Sequence, residues 1–351
     1  QILMNDDSSL LCHVNIANGF RGAERQTLLL VKTLAEKGFK QKLILRKDSE
    51  LVTRSKSIVG IDVIEKNMFA FGAFSEPSEK TLFHFHDSRS FPMFYLSGLL
   101  RSMNYIYTRR VQRPPKVNFM SKKIYRDSRK IVCLSSSIEN TVKESFGKSI
   151  DSVIIPSASA SFDHDPEKSL EIRQEIKQEF LVGHIGALDD SHKGQLDIIK
   201  LARQAKSKAL DIGFVMVGSG RDELLLKKES KDLENVYFAG QVENIGDYLS
   251  AFDVFIFPSR HEGLGSTLID AIDFGLPIIA RNVGGISDII DDGVNGYLVS
   301  DHNADFFTPL IELYNSESIR NRISEVNKKQ SDAFSIERMT ESYISLYNQY
   351  L

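Results

Sequence analysis

The feature that most constrains the fold is a strand, a glycine-bearing turn and a helix that follow one another within residues 253–274. Residues 253–257 form a short apolar run typical of a buried strand, and Pro258 ends it. Gly263 and Gly265 then form a turn that leads into a helical pattern. This order is the βα unit of a parallel sheet, and the free amides at such a helix N-terminus can bind an anion. We therefore predict an α/β fold with an anion site here.

Two carboxylates flank this turn. Glu262 lies in the turn itself, and Asp270 lies one to two turns into the helix. Carboxylate oxygens accept hydrogen bonds from sugar hydroxyls, while a phosphate can rest on the neighbouring amides. Either acid alone is equally well explained as a carboxylate favoured by the helix dipole. The pair is what suggests a site for a phosphorylated sugar.

The length of 351 residues exceeds the size at which a single hydrophobic core usually stops growing, so two domains are expected. Strand-like runs recur along the whole chain. They lie at residues 10–16, 41–46, 58–64, 81–86, 104–107, 130–134, 152–155, 180–185, 212–217 and 236–239. Small residues at 156–161 suggest a linker. We predict domains at 1–160 and 161–333, followed by a helix at 334–351 with Met339, Tyr343 and Tyr347 at helical spacing.

Charge is divided unevenly between the two halves. Residues 1–160 hold 25 Lys and Arg against 15 Asp and Glu, whereas the remainder holds 19 against 32. Residues 101–130 alone carry ten basic residues and one acid, interleaved with aromatic side chains. An anionic membrane surface suits this segment, and so does a merely solvated face. Nucleic-acid binding is not expected, because no nucleic-acid module is visible and the rest of the chain is acidic.

Three further loops follow predicted strands. Gly19, Arg21 and Gly22 form a loop without the third glycine of a dinucleotide fingerprint. Lys193 precedes Gly194 in a second loop, and Gly218 begins a third.

His84 and His86 share one face of the run at 81–86, and their spacing would suit metal ligands. No third ligand lies nearby in sequence, so we expect no metal. His86 ends the strand, where ligands of α/β sheets bind.

The motifs occur in one order: Glu262, seven residues, Asp270, then Gly275-Leu276-Pro277, Gly284-Gly285 and Asn295-Gly296. This order resembles the signature of the family 4 retaining glycosyltransferases (glycosyl transferases group 1), which have the GT-B fold. Three departures stand out. Asp270 replaces a Glu, Ala187 stands where the family has an Arg, and Thr108-Arg109-Arg110 stands where it has a His.

The resemblance implies two Rossmann-like domains facing a central cleft, with the last helix crossing back to the first domain. The first domain would bind the acceptor and the second the nucleotide sugar. The resemblance and the loop positions together suggest catalytic roles for Glu262, Lys193 and His86. Donor-binding roles are expected for Gly19, Arg21, Gly22, Lys193, Gly218, Val242, Glu262, Gly263, Leu264, Gly265, Ser266, Thr267 and Asp270. Acceptor or membrane contacts are expected for Arg109, Arg110, Arg113, Lys116, Lys122 and Lys123.

The implied reaction moves a sugar, with retention, from a nucleoside diphosphate sugar to a saccharide or lipid-linked acceptor. It needs no cofactor and no metal. The expected context is surface polysaccharide or lipopolysaccharide biosynthesis. With two cysteines and no apolar run of eighteen residues, a cytoplasmic protein at the inner face of the membrane is expected. A nucleotide-sugar epimerase and a non-catalytic nucleotide-sugar-binding protein are the alternatives.

Overall fold

The computed structural model describes residues 9–67, 80–96, 103–301 and 304–351. The chain divides into two compact units. The first consists of residues 1–160 with 335–351, and the second of residues 161–334. Each unit contains one parallel sheet with helices, so the predicted α/β class is confirmed.

The first unit contains a seven-stranded sheet in the order β3-β2-β1-β4-β5-β6-β7. Its strands are β1 Leu10–Asn15, β2 Gln41–Arg46, β3 Ile61–Lys66, β4 Thr81–Phe85, β5 Asn104–Arg109, β6 Lys130–Cys133 and β7 Ser152–Ile154. Its helices are α1 Gly22–Glu36, α2 Glu50–Ser55, α3 Phe91–Leu96, α4 Phe119–Asp127, α5 Ser136–Phe146 and the C-terminal α14 Ile336–Tyr347. The strand order reverses between β1 and β4, which is where ligands bind in open α/β sheets.

The second unit contains a six-stranded sheet in the order β10-β9-β8-β11-β12-β13. Its strands are β8 Phe180–Ile185, β9 Ile212–Val217, β10 Val236–Gly240, β11 Val254–Phe257, β12 Ile278–Arg281 and β13 Tyr297–Val299. Its helices are α6 Pro166–Glu175, α7 Asp190–Lys193, α8 Gln195–Ser207, α9 Glu223–Glu229, α10 Ile245–Ala251, α11 Ser266–Asp273, α12 Phe307–Asn315 and α13 Glu317–Gln330. The reversal here lies between β8 and β11, so the loops that follow these two strands are neighbours.

Helix α14 packs on the first unit. Its apolar face presents Met339, Tyr343, Leu346 and Tyr347, which join a buried cluster with residues of α1 and of the sheet. These four side chains recur every three or four residues, so they line one face of the helix. Burial of each stabilises the docked helix by roughly 1.5–3 kcal/mol before entropy is counted.

A polar network also ties α14 to the sheet. His84 on β4 bonds the Tyr347 hydroxyl through Nδ1 at 2.7 Å and the Thr108 hydroxyl through Nε2 at 2.7 Å. The Thr108 hydroxyl lies 3.1 Å from that of Tyr343. His13 on β1 bonds His86 at 2.9 Å. Because these groups are buried, the hydrogen bonds replace contacts with water and hold the rings in fixed positions.

Burial keeps four histidines neutral. It lowers the pKa of His13 and of His184 to about 4 and places the pKa of His84 and His86 well below the usual value. The unfolded chain protonates the same rings near pH 6.5. At pH values between the folded-state pKa and the unfolded-state pKa of these rings, the unfolded state binds more protons than the folded state. The free energy of unfolding therefore decreases as the pH decreases.

We therefore predict that the urea midpoint decreases between pH 7.5 and pH 5. His13 and His184 each lose about 2 kcal/mol of stabilisation over this interval. His184→Asn should be less stable at pH 7.5 but show a smaller decrease. His192→Gln, which changes an exposed ring, should behave like the wild type. A midpoint that does not change with pH would contradict this account.

Candidate active site

The segment after β8 carries Lys193, and the glycine that follows Lys193 allows this segment to lie close to the loop after β11. Lys193 ends α7, and Gly194 follows with φ +70°. A Cβ atom at Gly194 would lie 2.3 Å from the carbonyl oxygen of Pro258, which follows β11. Only a residue without a side chain can sit this close to that backbone. The absence of a side chain at Gly194 therefore allows the Lys193 loop to lie against the loop after β11.

Arg260 fastens the same two loops. Its backbone N–H donates to the His192 carbonyl at 2.8 Å, and its guanidinium donates to Asp190 Oδ2 at 3.0 Å and Asp197 Oδ2 at 3.2 Å. Arg281 also donates to Asp197 Oδ2, at 2.6 Å. This clamp is not visible in the sequence, because nothing in the order of residues pairs Arg260 with acids about seventy positions earlier.

Lys193 and Glu262 meet directly. Lys193 Nζ donates to Glu262 Oε2 at 2.7 Å, and the two side chains are 25% and 18% exposed. The ammonium also lies 5.3 Å from the centre of the Phe257 ring. A partly accessible cation beside a partly accessible carboxylate can bind a phosphate oxygen and a sugar hydroxyl side by side.

The N-terminus of α11 begins next to Glu262. Gly265 precedes the helix with φ +89°, and a Cβ there would lie 3.5 Å from Glu262 Cγ. No side chain caps this end in the described structure, and Ser266 and Thr267 form the first turn. Such an end presents amide N–H groups and the positive pole of the helix dipole to a ligand. Asp270 follows in the same helix and is 4% exposed.

The remaining residues of this unit that are expected to bind the donor lie in its loops. Gly263 is half-buried and Leu264 is buried in the turn between β11 and α11. Gly218 approaches the loop after β8 so closely that a Cβ would lie 2.0 Å from the Gly186 oxygen. Packing therefore requires a glycine at position 218. Val242 is half-buried between β10 and α10.

In the first unit, the glycine loop joins β1 to α1. Gly19 and Arg21 are exposed, and Gly22 begins the helix. The Arg21 amide donates to Glu24 Oε2 at 2.9 Å. The loop is open to solvent, and its donor-binding role stays a prediction.

His86 is not placed as a group that contacts a substrate. Its ring is 2% exposed, bonded to His13 and close to His84, with centroids 3.8 Å apart. The strand alternation that put His84 and His86 on one face also turned both rings into the core of the unit. This geometry favours a structural part in the network and not the catalytic role expected for His86.

His13 joins these two histidines from β1, and ligand nitrogens of the three rings lie within 4.8 Å of one another. The sequence gives no sign of this third ring, which lies about seventy residues earlier in the chain. Neutral imidazoles are suitable metal ligands. Both nitrogens of His84, however, already bond Tyr347 and Thr108, so the arrangement is a hydrogen-bond network as it stands.

The basic segment separates into two kinds of cation. Arg109 is buried and donates to the Tyr125 hydroxyl at 2.8 Å and to the Arg113 carbonyl. It is therefore occupied by the protein, which does not favour the acceptor or membrane contact expected for it. Arg113, Lys116 and Lys122 are exposed, and Lys123 pairs with Asp127 on α4.

Exposed apolar side chains accompany these cations. Phe119 begins α4 and is 78% exposed, and Val111 and Val117 are also exposed. No helix in the described ranges is long and apolar enough to cross a membrane. Arg101, the first cation of the segment, lies outside the described residues.

Two parallel Rossmann-like sheets, one in each unit, are the architecture of the GT-B fold. Consistent with this, the chain is similar to HepE of Anabaena, solved with UDP and glucose. The TM-score is 0.81 at 16% identity, and the alignment covers 97% of this chain and 100% of the other.

The family match falls on the second unit. Residues 166–330 match the family described as glycosyl transferases group 1, so the resemblance seen in the motifs is confirmed over this segment.

Two curated relatives agree with this family. The capsular polysaccharide biosynthesis glycosyltransferase CapM of Staphylococcus aureus is 27% identical over 187 residues, which are 50% of this chain and 48% of CapM. The poly(ribitol-phosphate) alpha-N-acetylglucosaminyltransferase of Staphylococcus aureus (strain COL) is 28% identical over 179 residues, which are 49% of this chain and 36% of the relative. The chain thus spans less than half the length of either relative.

The close approach of Gly194 to Pro258, next to Lys193, leads to a testable prediction. Gly194→Ala should lower the free energy of unfolding by about 1–2 kcal/mol for its left-handed backbone and by a further ~1–3 kcal/mol for overlap with Pro258. Gly240→Ala is the matched control, because Gly240 has the same φ of +70° and its Cβ would meet nothing within 4 Å. Urea unfolding measures both. Equal losses in the two variants would contradict the packing role of Gly194.

Proposed function

We propose that this protein is a retaining glycosyltransferase that moves a sugar from a nucleoside diphosphate sugar to a saccharide or lipid-linked acceptor. The observation that carries the proposal is the Lys193–Glu262 pair at 2.7 Å beside the uncapped start of α11. The name of the relative CapM favours surface polysaccharide biosynthesis as the context, and we extend the proposal to lipopolysaccharide biosynthesis.

The donor is bound, in this proposal, by the second unit. Its diphosphate lies against Lys193 and the amides of Ser266 and Thr267, and Glu262 accepts hydrogen bonds from the sugar hydroxyls. Asp270 accepts from the ribose hydroxyls. Each role uses what the group can do: an ammonium and amides donate, and carboxylates accept.

The chemical step breaks the bond between the anomeric carbon and the diphosphate. Negative charge grows on the leaving oxygen while the sugar gains oxocarbenium character. Lys193 and the helix amides stabilise that charge, as preorganised donors do, and we propose that they do so without a metal ion. The acceptor hydroxyl attacks from the face that the diphosphate leaves, the phosphate takes its proton, and the configuration is retained.

Binding should be tested first. A panel of nucleoside diphosphate sugars should raise the Tm only where a sugar binds the folded state. Incubation of the stabilising sugar with and without an acceptor, in the presence of EDTA, then separates transfer from epimerisation and from binding alone. Nuclear magnetic resonance of the product should show the anomeric configuration of the donor. Formation of an epimer without acceptor, or an inverted product, would contradict the proposal.

The roles of the pair are tested by Lys193→Ala and Glu262→Gln. Each should reduce kcat by about 10²–10³-fold, the usual effect of removing one stabilising group at a developing charge. The matched controls are Lys227→Ala and Glu223→Gln, because this surface pair in the same unit has the same 2.7 Å separation. Turnover within twofold of wild type in Lys193→Ala and Glu262→Gln would count against both roles.

We also propose that the basic segment attaches the first unit to an anionic membrane surface. Exposed Arg113, Lys116 and Lys122 lie in the same segment as exposed Val111, Val117 and Phe119. Cations near an anionic bilayer each contribute about 1 kcal/mol, and an exposed Phe can enter the interface. Lipid-linked acceptors would be reached from this surface.

Co-sedimentation with anionic vesicles tests the attachment. The vesicles contain roughly 30 mol% phosphatidylserine, to imitate the anionic content of an inner leaflet. Replacing Arg113, Lys116 and Lys122 by Gln should weaken vesicle binding by ~10²-fold, because each of the three cations contributes about 1 kcal/mol of binding free energy. Replacing the exposed Lys168, Lys177 and Lys231 of the second unit by Gln is the matched control. Equal effects of the two triple variants would show only a general charge effect.

A further inference from the structure

The two arginines that follow one another at the end of β5 have opposite surroundings. Arg109 is buried and its guanidinium is occupied by the Tyr125 hydroxyl and the Arg113 carbonyl. Arg110 is half-buried, and within the described ranges it forms no hydrogen bond and no ion pair. Its Nε is shielded from water without a partner. The Nε of Arg109 also lacks a partner, but its two terminal nitrogens are bonded by the protein, whereas Arg110 forms no hydrogen bond at any nitrogen within the described ranges.

The neighbours of Arg110 do not neutralise it. The groups that act on it electrostatically are the phenols of Tyr343, Tyr107 and Tyr347 and the carboxylate of Glu24. Glu24 forms no ion pair with it, and its Oε2 accepts from the Arg21 amide. Burial lowers the pKa of Arg110, which shows that desolvation outweighs these contacts. A half-buried cation with a shielded, unpaired Nε is costly, and an anionic ligand would offset that cost.

Arg110 also lies where a ligand would reach it. It directly follows β5, at the carboxyl edge of the sheet and one strand beyond the switch point between β1 and β4. Glu24, which acts on it, is in the first turn of α1, directly after the exposed glycine loop. Loops at this edge form the ligand crevice of open α/β sheets.

We propose that Arg110 binds an oxyanion, a phosphate or a carboxylate, that is carried by a substrate of this protein. A guanidinium offers two parallel N–H donors to either group, and a desolvated surrounding strengthens both bonds. The assignment of the oxyanion to a substrate rests on the proposed function. Phosphates of the donor and acidic substituents of the acceptor both supply such a group, and the experiment separates them.

The experiment measures anion binding to the full chain by calorimetry, with sodium pyrophosphate and sodium glucuronate as probes and glucose as the neutral reference. Arg110→Gln should weaken binding of one of the two anions by at least about tenfold, or about 1.4 kcal/mol. Arg110→Lys keeps the charge but loses the fork, so an intermediate loss is expected. Arg54→Gln, which changes an exposed arginine of α2 in the same unit, is the matched control and should remain within twofold.

The two probes identify the source. Loss of pyrophosphate binding assigns Arg110 to the donor phosphates, and a rise in the donor KM should follow. Loss of glucuronate binding assigns it to an acidic acceptor, with a rise in the acceptor KM alone. If both anions bind Arg110→Gln as they bind the wild type, or if neither binds the wild type, the assignment is overturned.

Stability distinguishes a binding cation from a structural one. Arg110→Gln should leave the free energy of unfolding unchanged or raise it, because it removes an uncompensated charge. Arg109→Gln should lower it, because it removes bonds to Tyr125 and Arg113. A loss in Arg110→Gln equal to that in Arg109→Gln, with unchanged anion binding, identifies a structural arginine and overturns the proposal. Anion binding through Arg110 without any nucleotide-sugar binding would contradict the proposed function and not this inference.

Discussion

The contact between Gly194 and the Pro258 carbonyl is the constraint on which the second unit's site depends. Two loops that are far apart in sequence lie side by side because β8 and β11 are neighbours in the sheet. They touch backbone to backbone because Gly194 has no side chain. Lys193 then meets Glu262 as a consequence. A partly exposed ion pair contributes little to stability, roughly 0–1 kcal/mol.

The strands were largely predictable because central parallel strands are buried on both faces and read as continuous apolar runs. The runs at 180–185 and 212–217 coincide with β8 and β9. The third run was misplaced: 58–64 was expected, whereas β3 spans Ile61–Lys66. It is an edge strand, half-exposed and with polar residues, so its apolar signal is weak.

The partners of the site residues were much less predictable than the residues themselves. The motifs identified Lys193 and Glu262 as residue types with a chemical use, and the structure shows that they form a pair. The motifs gave no sign of Arg260 as the clamp or of His13 beside His84 and His86. Such pairings depend on which strands are adjacent and which way each side chain turns. Burial of His86 follows from the same geometry, and a strand position alone does not disclose it.

Two departures from the family pattern change the number of cations, one by removing a cation and the other by adding cations. Ala187 removes a cation where the pattern has an Arg, whereas Arg109 and Arg110 add cations in the segment where the pattern has a His. In the second unit, Lys193, Arg260 and Arg281 each have a carboxylate within about 3 Å, as charge-assisted bonds require. Arg110 has none among the described residues. A chain of marginal stability keeps such an arginine only at a cost, and an anionic substrate group that completes its hydrogen bonds accounts for that cost.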